Sequence, residues 1–227
     1  GGAGRPEALL GALREALARA PRPRPVHEEG AVLPPLAGGL VGVSGYGLAA
    51  ALEPALGGSP VGSGRLASYL APRSLLVFDH VRQRLALLHD GPEAERSALR
   101  AEIVRALRGS VPVNGDGCRH AAPSPSMTPV EYRDGVEQAK RAIRRGDVYQ
   151  LVLSVGFRGG CDVEPFQVYR ALRSLNPSPY LYFLDLGDVA VAGSSPEALV
   201  RLEGRRASLR PIAGTRHEAG DRSPPES

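Results

Sequence analysis

A stretch rich in glycine, proline and serine, residues 109–127 (GSVPVNGDGCRHAAPSPSM), divides this chain into two regions that both carry helix and strand patterns. Such composition favours an extended or turning backbone over a packed element. We therefore predict an N-terminal region (1–108), a linker (109–127), a second region (128–216) and a disordered polar tail (217–227). At 227 residues the chain is long enough for one or two domains with a hydrophobic core.

The N-terminal region reads as two helices and three strands. Leucines at helical spacing predict a helix over residues 6–20, and the pattern of 92–108 predicts another. The segments 74–79 and 82–89 are apolar and separated by a short polar turn, which predicts a hairpin. The glycine-rich run 38–47 has no GK[ST] sequence, so we interpret it as a closely packed strand and not as a phosphate loop.

A strong helix start opens the second region. Thr128 and Glu131 form a capping-box pattern, and Pro129 stands at the first helical position. On this helix Glu137 is spaced to pair with Arg141, and Gly146 is expected to end it.

The rest of the second region predicts an antiparallel sheet with one more helix. We expect a strand over 147–157 with Gln150 on one face, followed by a helix over 164–174. Four further strands separated by turn residues are expected at 180–186, 189–193, 198–203 and 206–212. A helix leading into an antiparallel meander predicts an α+β fold.

Composition excludes several classes of protein. The net charge is only +4, and the arginines are interspersed with acids without an aromatic surface among them, so we expect no nucleic-acid partner. No apolar run approaches 18 residues, so we expect no membrane span. Cys118 and Cys161 stand alone, which favours a reducing compartment and a cytoplasmic location, and the histidines make no metal-ligand pair.

Three features could carry chemistry. Glu197 follows a predicted strand in a tight Gly-Ser-Ser-Pro-Glu turn, where a partly desolvated carboxyl could act as a general acid; an exposed turn glutamate is the plainer interpretation. Gln150 could hydrogen-bond a ligand but cannot act as a base. The heptad RPIAGTR (210–216) joins two guanidinium groups to Gly214 and Thr215, which suits a small dianion.

Four motifs occur in an order and spacing that resemble the chorismate-utilising enzymes. They are GDVYQLVLS (146–154), NPSPY (176–180), GSSPE (193–197) and RPIAGTR (210–216), and the upstream runs GGLVGVSGYG (38–47) and LLVFDHVRQRLALL (75–88) are similar to further family segments. The likeness is greatest to the large subunits of anthranilate synthases. It implies the antiparallel sheets and flanking helices of the chorismate-binding fold.

Two positions imply which reaction the chain catalyses. Isochorismate and salicylate synthases carry a lysine base where this chain has Gln150, because water needs activation whereas ammonia does not. Aminodeoxychorismate synthases often carry a nucleophilic lysine where this chain has Ala213. The sole lysine here, Lys140, lies on the predicted helix 128–145. The resemblance therefore implies a lyase in tryptophan biosynthesis that makes anthranilate and pyruvate from chorismate and ammonia.

The resemblance also implies roles for individual residues. Glu197 would protonate the departing C4 hydroxyl while ammonia attacks C2, and Gln150, Ala213, Gly214 and Thr215 would contact chorismate. A glutamine amidotransferase subunit would supply ammonia. Mg²⁺ is the family's metal ion, and no metal ligand is assigned in this chain. As a last implication, Pro179 and Tyr180 would line a feedback site for tryptophan.

The chain departs from the family pattern at both ends. The family's segments before Gly1 and after Arg216, including those that supply the Mg²⁺ glutamates, have no counterpart here. We therefore expect the chain to be incomplete at its N- and C-termini and inactive in isolation. Two alternatives stay open: an aminodeoxychorismate synthase that lacks the lysine, and a non-catalytic truncated fragment.

Overall fold

The structure is a computed structural model that describes residues 6–22, 34, 36–53, 66–110 and 121–211. The chain divides into two units, Gly1–Val113 and Asn114–Ser227. The division falls inside the stretch 109–127. We call them unit 1 and unit 2 and describe each by itself.

The described residues of unit 1 form three helices and two antiparallel strand pairs. Strand β1 pairs with β2, and β3 pairs with β4. The elements are α1 (Pro6–Arg19), β1 (Val41–Ser44), α2 (Leu48–Leu52), β2 (Ala67–Leu70), β3 (Ser74–Asp79), β4 (Arg84–His89) and α3 (Glu93–Arg108). The predicted helices at 6–20 and 92–108 and the glycine-rich strand are confirmed within one to three residues at their ends.

The β3–β4 hairpin is closed by a side chain at its turn. The Asp79 carboxylate accepts hydrogen bonds from the backbone N–H groups of Val81 at 3.1 Å and Arg82 at 2.9 Å. Gln83 takes the left-handed conformation with φ of 52°. The aspartate side chain thus accepts from two backbone N–H groups that have no cross-strand partner at the turn. The predicted hairpin is confirmed.

Within residues 121–211, unit 2 forms two helices and three short antiparallel strand pairs. Strand β5 pairs with β6, β7 with β8, and β9 with β10. The elements are β5 (Ser124–Pro125), α4 (Pro129–Arg145), β6 (Phe157–Arg158), α5 (Pro165–Leu175), β7 (Tyr180–Asp185), β8 (Ala190–Ser195), β9 (Arg201–Glu203) and β10 (Arg206–Ser208). Strand β5 lies within the sequence predicted as a linker.

Helix α4 begins and ends as its sequence predicts. The Thr128 hydroxyl accepts from the Glu131 N–H at 3.2 Å, and the Glu131 carboxylate accepts from the Thr128 N–H at 2.7 Å. Gly146 ends the helix in the left-handed conformation with φ of 79°. The predicted pairing of Glu137 with Arg141 is wrong, because the Lys140 ammonium contacts Glu137 at 2.7 Å instead.

Two sheet predictions need correction. Residues 147–156 form no strand, and regular pairing begins only at Phe157 in β6. A strand exists only where another strand bonds to it, and the alternating pattern of 147–157 contains no information about that partner. The predicted meander is likewise divided, because β7–β8 and β9–β10 are separate two-stranded sheets.

An aromatic cluster joins α5 to the β7–β8 hairpin. Phe166 and Phe183 meet edge to face with ring centroids 5.3 Å apart, and Tyr169 lies 5.9 Å from Phe183.

Helices with antiparallel strand pairs confirm the predicted α+β class. Among the described residues, Ala20 and Leu88 are the apolar side chains that are buried. In the same part of the chain, no helix is long and apolar enough to cross a membrane.

Candidate functional site

The β7–β8 hairpin brings the NPSPY and GSSPE motifs together. Its register runs from Tyr180 opposite Ser195 at one end to Asp185 opposite Ala190 at the turn. The last residue of NPSPY therefore lies beside the third residue of GSSPE. Two motifs that are 13 residues apart in sequence thus form one local structure at the open end of the hairpin.

A side-chain hydrogen bond also connects the two motifs. The Ser194 hydroxyl donates to the backbone carbonyl of Asn176 at 2.6 Å. Ser194 therefore fixes the start of the stiff turn that leads into β7. The Ser178 hydroxyl oxygen, in the same NPSPY segment, is buried and has no hydrogen-bond partner among the described atoms.

Gly193 is required by the ring that lies over it. Tyr182 is its partner on the opposite strand, and a Cβ at position 193 would lie 2.2 Å from the Tyr182 Cζ atom. Glycine in a strand commonly marks such a close approach. The first residue of GSSPE is thus explained by packing within the hairpin.

Glu197 follows β8 in a turn that Ser195 closes. The Ser195 hydroxyl donates to the Glu197 carbonyl oxygen at 2.9 Å and accepts from the Glu197 N–H at 3.4 Å. Glu197 is half-buried. Partial burial and a fixed backbone are the two conditions under which the sequence makes this carboxyl a candidate general acid.

Helix α5 supports the hairpin from one side. It contacts both β7 and β8, and its Phe166 and Tyr169 rings pack on Phe183 of β7. The Glu164 side chain accepts from the Gln167 N–H at 3.2 Å and caps the helix. A capped helix with an aromatic contact provides a firm base for the turn that carries Glu197.

The other predicted site residues do not all lie near Glu197 in the described structure. Gln150 is exposed on the segment 147–156, which has no regular structure. Pro179 and Tyr180 lie at the start of β7, both exposed. Ala213, Gly214 and Thr215 lie outside the described residues. The structure therefore brings Tyr180 close to the turn of Glu197, and Gln150 is not part of that arrangement.

The Mg²⁺ ion implied by the resemblance has no fitting residues in the described part of the chain. There, no group of three or more His, Cys, Asp or Glu side chains is arranged to hold a metal ion. Magnesium requires several oxygen ligands in near-octahedral geometry.

Sequence reasoning missed the hydroxyls of Ser194 and Ser195. Their signal was available, because two serines at a strand end before proline can bond backbone groups on both sides of the strand. The partner of Ser194 could not be read from the motif, since Asn176 lies 18 residues away.

A second polar cluster, in unit 1, was also missed. Ser74 and His89 are direct cross-strand partners, with the Ser74 Oγ 2.9 Å from the His89 Nδ1. The His89 ring is 7% exposed, and its Nε2 lies 3.4 Å from the Glu95 carboxylate, which also accepts from Arg73 at 3.1 Å. The Nε2 contact lacks hydrogen-bond geometry. This cluster ties the β3–β4 hairpin to the first turns of α3.

Comparison with known proteins places residues 5–224 in one family. The family model described as chorismate binding enzyme matches residues 5–224. Anthranilate synthase component 1 of Thermus thermophilus is 40% identical over 196 residues, which cover 83% of this chain and 42% of the relative. The protein of the same name from Streptomyces coelicolor is 38% identical over 226 residues, covering 91% of this chain and 43% of the relative.

A solved structure gives the same result. Anthranilate synthase component I from Streptococcus pneumoniae TIGR4 superimposes with a TM-score of 0.61 at 28% sequence identity, covering 86% of this chain and 45% of that chain. The chain thus spans less than half the length of the relatives it matches. The resemblance of its motifs is confirmed, and the chain belongs to the family of chorismate binding enzymes.

Proposed function

We propose that this chain belongs to an anthranilate synthase large subunit, which converts chorismate and ammonia to anthranilate and pyruvate. The observation that carries the proposal is the similarity to proteins named anthranilate synthase component 1, at 38–40% identity over 83–91% of the chain. A third such relative, from Aquifex aeolicus, is 54% identical over 91 residues.

The placement of lysine supports ammonia as the nucleophile. Lys140 is the sole lysine of the chain, and its ammonium is paired with Glu137 at 2.7 Å on α4. Neither Gln150 nor Ala213 offers an amine. A glutamine side chain cannot take a proton from water near neutral pH, and an alanine cannot attack the ring. Ammonia has its own lone pair and needs neither group.

Glu197 takes the role of general acid in this proposal. Ammonia bonds to C2 of chorismate, and the C4–oxygen bond breaks as Glu197 gives its proton to the departing hydroxyl, which leaves as water. Pyruvate is then eliminated and the ring becomes aromatic. The half-buried turn, which the Ser195 hydroxyl closes, supports this role, because a proton donor must be held within reach of the leaving oxygen.

A glutamine amidotransferase subunit supplies the ammonia, Mg²⁺ is the metal ion, and the enzyme is a cytoplasmic carbon–oxygen lyase of tryptophan biosynthesis. Gln150, Ala213, Gly214 and Thr215 contact chorismate. Tryptophan binds at Pro179 and Tyr180 as a feedback inhibitor. The nearness of Tyr180 to the Glu197 turn supports a link between inhibitor and reaction.

We also propose that these 227 residues by themselves do not turn over chorismate. The support is their coverage of 42–43% of the relatives, together with the lack of a metal-holding cluster among the described side chains. Anthranilate formation by the isolated chain in Mg²⁺ and ammonium would contradict this part and leave the assignment to the family intact.

The main test uses the protein expressed from its complete reading frame. Anthranilate fluorescence is followed after addition of chorismate, Mg²⁺ and ammonium. We expect Glu197→Gln to lower kcat by about 10²–10⁴-fold, the usual contribution of a general acid. Glu203→Gln, an exposed glutamate on β9 that pairs with Arg201, is the matched control and should change kcat by less than about twofold. Aminodeoxychorismate as the product, or a Glu197→Gln variant at wild-type rate, would overturn the proposal.

A further inference from the structure

We propose that Ser195 is a positioning residue that sets the Glu197 carboxyl for proton transfer; the inference rests on the proposed function. Its hydroxyl is the sole side-chain group among the described hydrogen bonds that contacts both backbone polar groups of Glu197.

One hydroxyl holds two backbone groups because it can donate and accept at once. It donates to the Glu197 carbonyl at 2.9 Å and accepts from the Glu197 N–H at 3.4 Å. Pro196 lies between the two residues, and its ring fixes φ near −65°. The proline and the hydroxyl together restrict the backbone torsions around Glu197. These torsions set the direction of its Cα–Cβ bond.

Ser195 is itself firmly placed. It is the last residue of β8, it is half-buried, and its direct cross-strand partner is Tyr180. The preceding residue, Ser194, bonds the Asn176 carbonyl at 2.6 Å. Successive residues of a strand project to opposite faces, so these adjacent hydroxyls hold the strand end from its two sides.

Such a restraint matters for a general acid. The donor must lie within hydrogen-bond reach of the leaving oxygen, and a misplacement of about 1 Å can cost about 10²-fold in rate. Freeing the Glu197 backbone would therefore lower kcat more than it changes KM, since substrate binding depends on other contacts. It would also alter the surroundings of the carboxyl and hence the pH profile.

The test compares three variants of the protein expressed from its complete reading frame. We expect Ser195→Ala to lower kcat by about 10-fold while KM stays within about twofold, with a shifted midpoint in the pH profile of kcat. Ser195→Thr keeps a hydroxyl on a strand residue and should recover kcat to within about threefold. Ser208→Ala is the matched control, because its hydroxyl makes a single bond to the Arg201 carbonyl at 3.5 Å. A Ser195→Ala variant at wild-type kcat would overturn the inference.

A second measurement does not depend on turnover. In isotope-labelled protein, Glu197→Gln identifies the Glu197 carboxyl resonance, and its titration is followed in wild type and Ser195→Ala. We expect the titration midpoint to move and the Glu197 amide to exchange its hydrogen at least about 10-fold faster, as for an amide that loses its bonded partner. An unchanged midpoint together with unchanged exchange would overturn the inference whether or not the protein is active.

The two proposals fail in different ways. If Glu197→Gln leaves kcat unchanged, the proposed role of Glu197 fails and Ser195 loses its part in the reaction. If Glu197→Gln abolishes activity but Ser195→Ala changes neither kcat nor the Glu197 titration, the function stands and the positioning role is wrong. Circular dichroism and thermal unfolding of Ser195→Ala exclude a general loss of folding as the cause of a lowered rate.

Discussion

Tyr180 and Ser195 lie directly opposite each other at the open end of the β7–β8 hairpin. Tyr180 ends the segment to which the family resemblance assigns an inhibitor, and Ser195 contacts the backbone of the proposed general acid. We therefore expect a change in conformation at residue 180 to act on the strand that leads to Glu197. This pair gives the proposed feedback site a short structural connection to the proposed reaction.

The close approach of Tyr182 to Gly193 gives a stability prediction. Alanine at 193 would place its Cβ 2.2 Å from the Tyr182 Cζ, so the ring or the strand must shift. We expect Gly193→Ala to lower the free energy of unfolding by about 1–3 kcal/mol, the usual cost of overpacking. Urea unfolding followed by tyrosine fluorescence measures it.

Gly160→Ala is the control for that substitution. A Cβ at position 160 meets nothing within 4 Å and its φ is ordinary, so no loss is expected there. Combining Gly193→Ala with Tyr182→Ser should recover part of the lost stability by removing the ring. Equal stability of Gly193→Ala and wild type would show that Tyr182 does not occupy this position.

The capping box of α4 predicts an effect of pH on stability. The hydrogen bond from the Thr128 backbone, followed by that from its side chain, lowers the pKa of Glu131 below its ordinary 4.5. A lowered pKa in the folded state means that the stabilisation is present above pH 4.5 and is lost as pH falls through the folded value. We expect the melting temperatures of wild type and Glu131→Gln to differ above pH 4.5 and to converge only as pH falls through the lowered folded-state pKa.

Glu137 on the same helix provides the comparison. Its side-chain hydrogen bond with Lys140 and the attraction of that ammonium lower the pKa of Glu137. Exposed ion pairs are screened by salt, whereas a backbone hydrogen bond at a helix start is affected much less. The effect of Glu137→Gln should therefore fade in about 1 M NaCl while that of Glu131→Gln remains. Equal salt sensitivity of the two variants would contradict the assignment of causes.

The buried His89 ring predicts a strong dependence on Ser74. Ser74→Ala leaves the His89 Nδ1 without its bonding partner at 2.9 Å. An unpaired buried polar atom costs about 1–3 kcal/mol, so we expect thermal unfolding of unit 1 to begin at a lower temperature. Ser97→Ala, which removes an exposed bond to Glu93 at 3.0 Å, is the control and should have little effect. A loss in Ser97→Ala as large as that in Ser74→Ala would refute the role of the cluster.

Local signals in the sequence predicted local structure well. The capping box at Thr128, the stop at Gly146 and the turn at Asp79 all depend on atoms within a few residues, so composition decides them. The same holds for the turn that carries Glu197. The pairing of Glu137 failed because Lys140, one position nearer than Arg141, competes for the same carboxylate.

Part of the strand pairing, and contacts between residues far apart in the chain, could not be predicted from the sequence. The alternation in 147–157 indicates that its side chains project to two faces. A β-strand also needs a neighbouring strand, and none of the described residues forms strand hydrogen bonds with 147–155. The bond from Ser194 to Asn176 and the cluster around His89 join residues 18 and 15 positions apart. Whether such groups meet is decided by the register of a hairpin, which only folding establishes.

The position of Lys140 on α4 has a practical consequence for measuring motion in unit 2. Lys140 is the sole lysine of these 227 residues and is 52% exposed, so an amine-reactive dye has one lysine target among them, on α4. Cys161 is an exposed free thiol between β6 and α5. In a Cys118→Ser variant, two orthogonal dyes at these positions would report, by energy transfer, how the distance between them changes when chorismate is added.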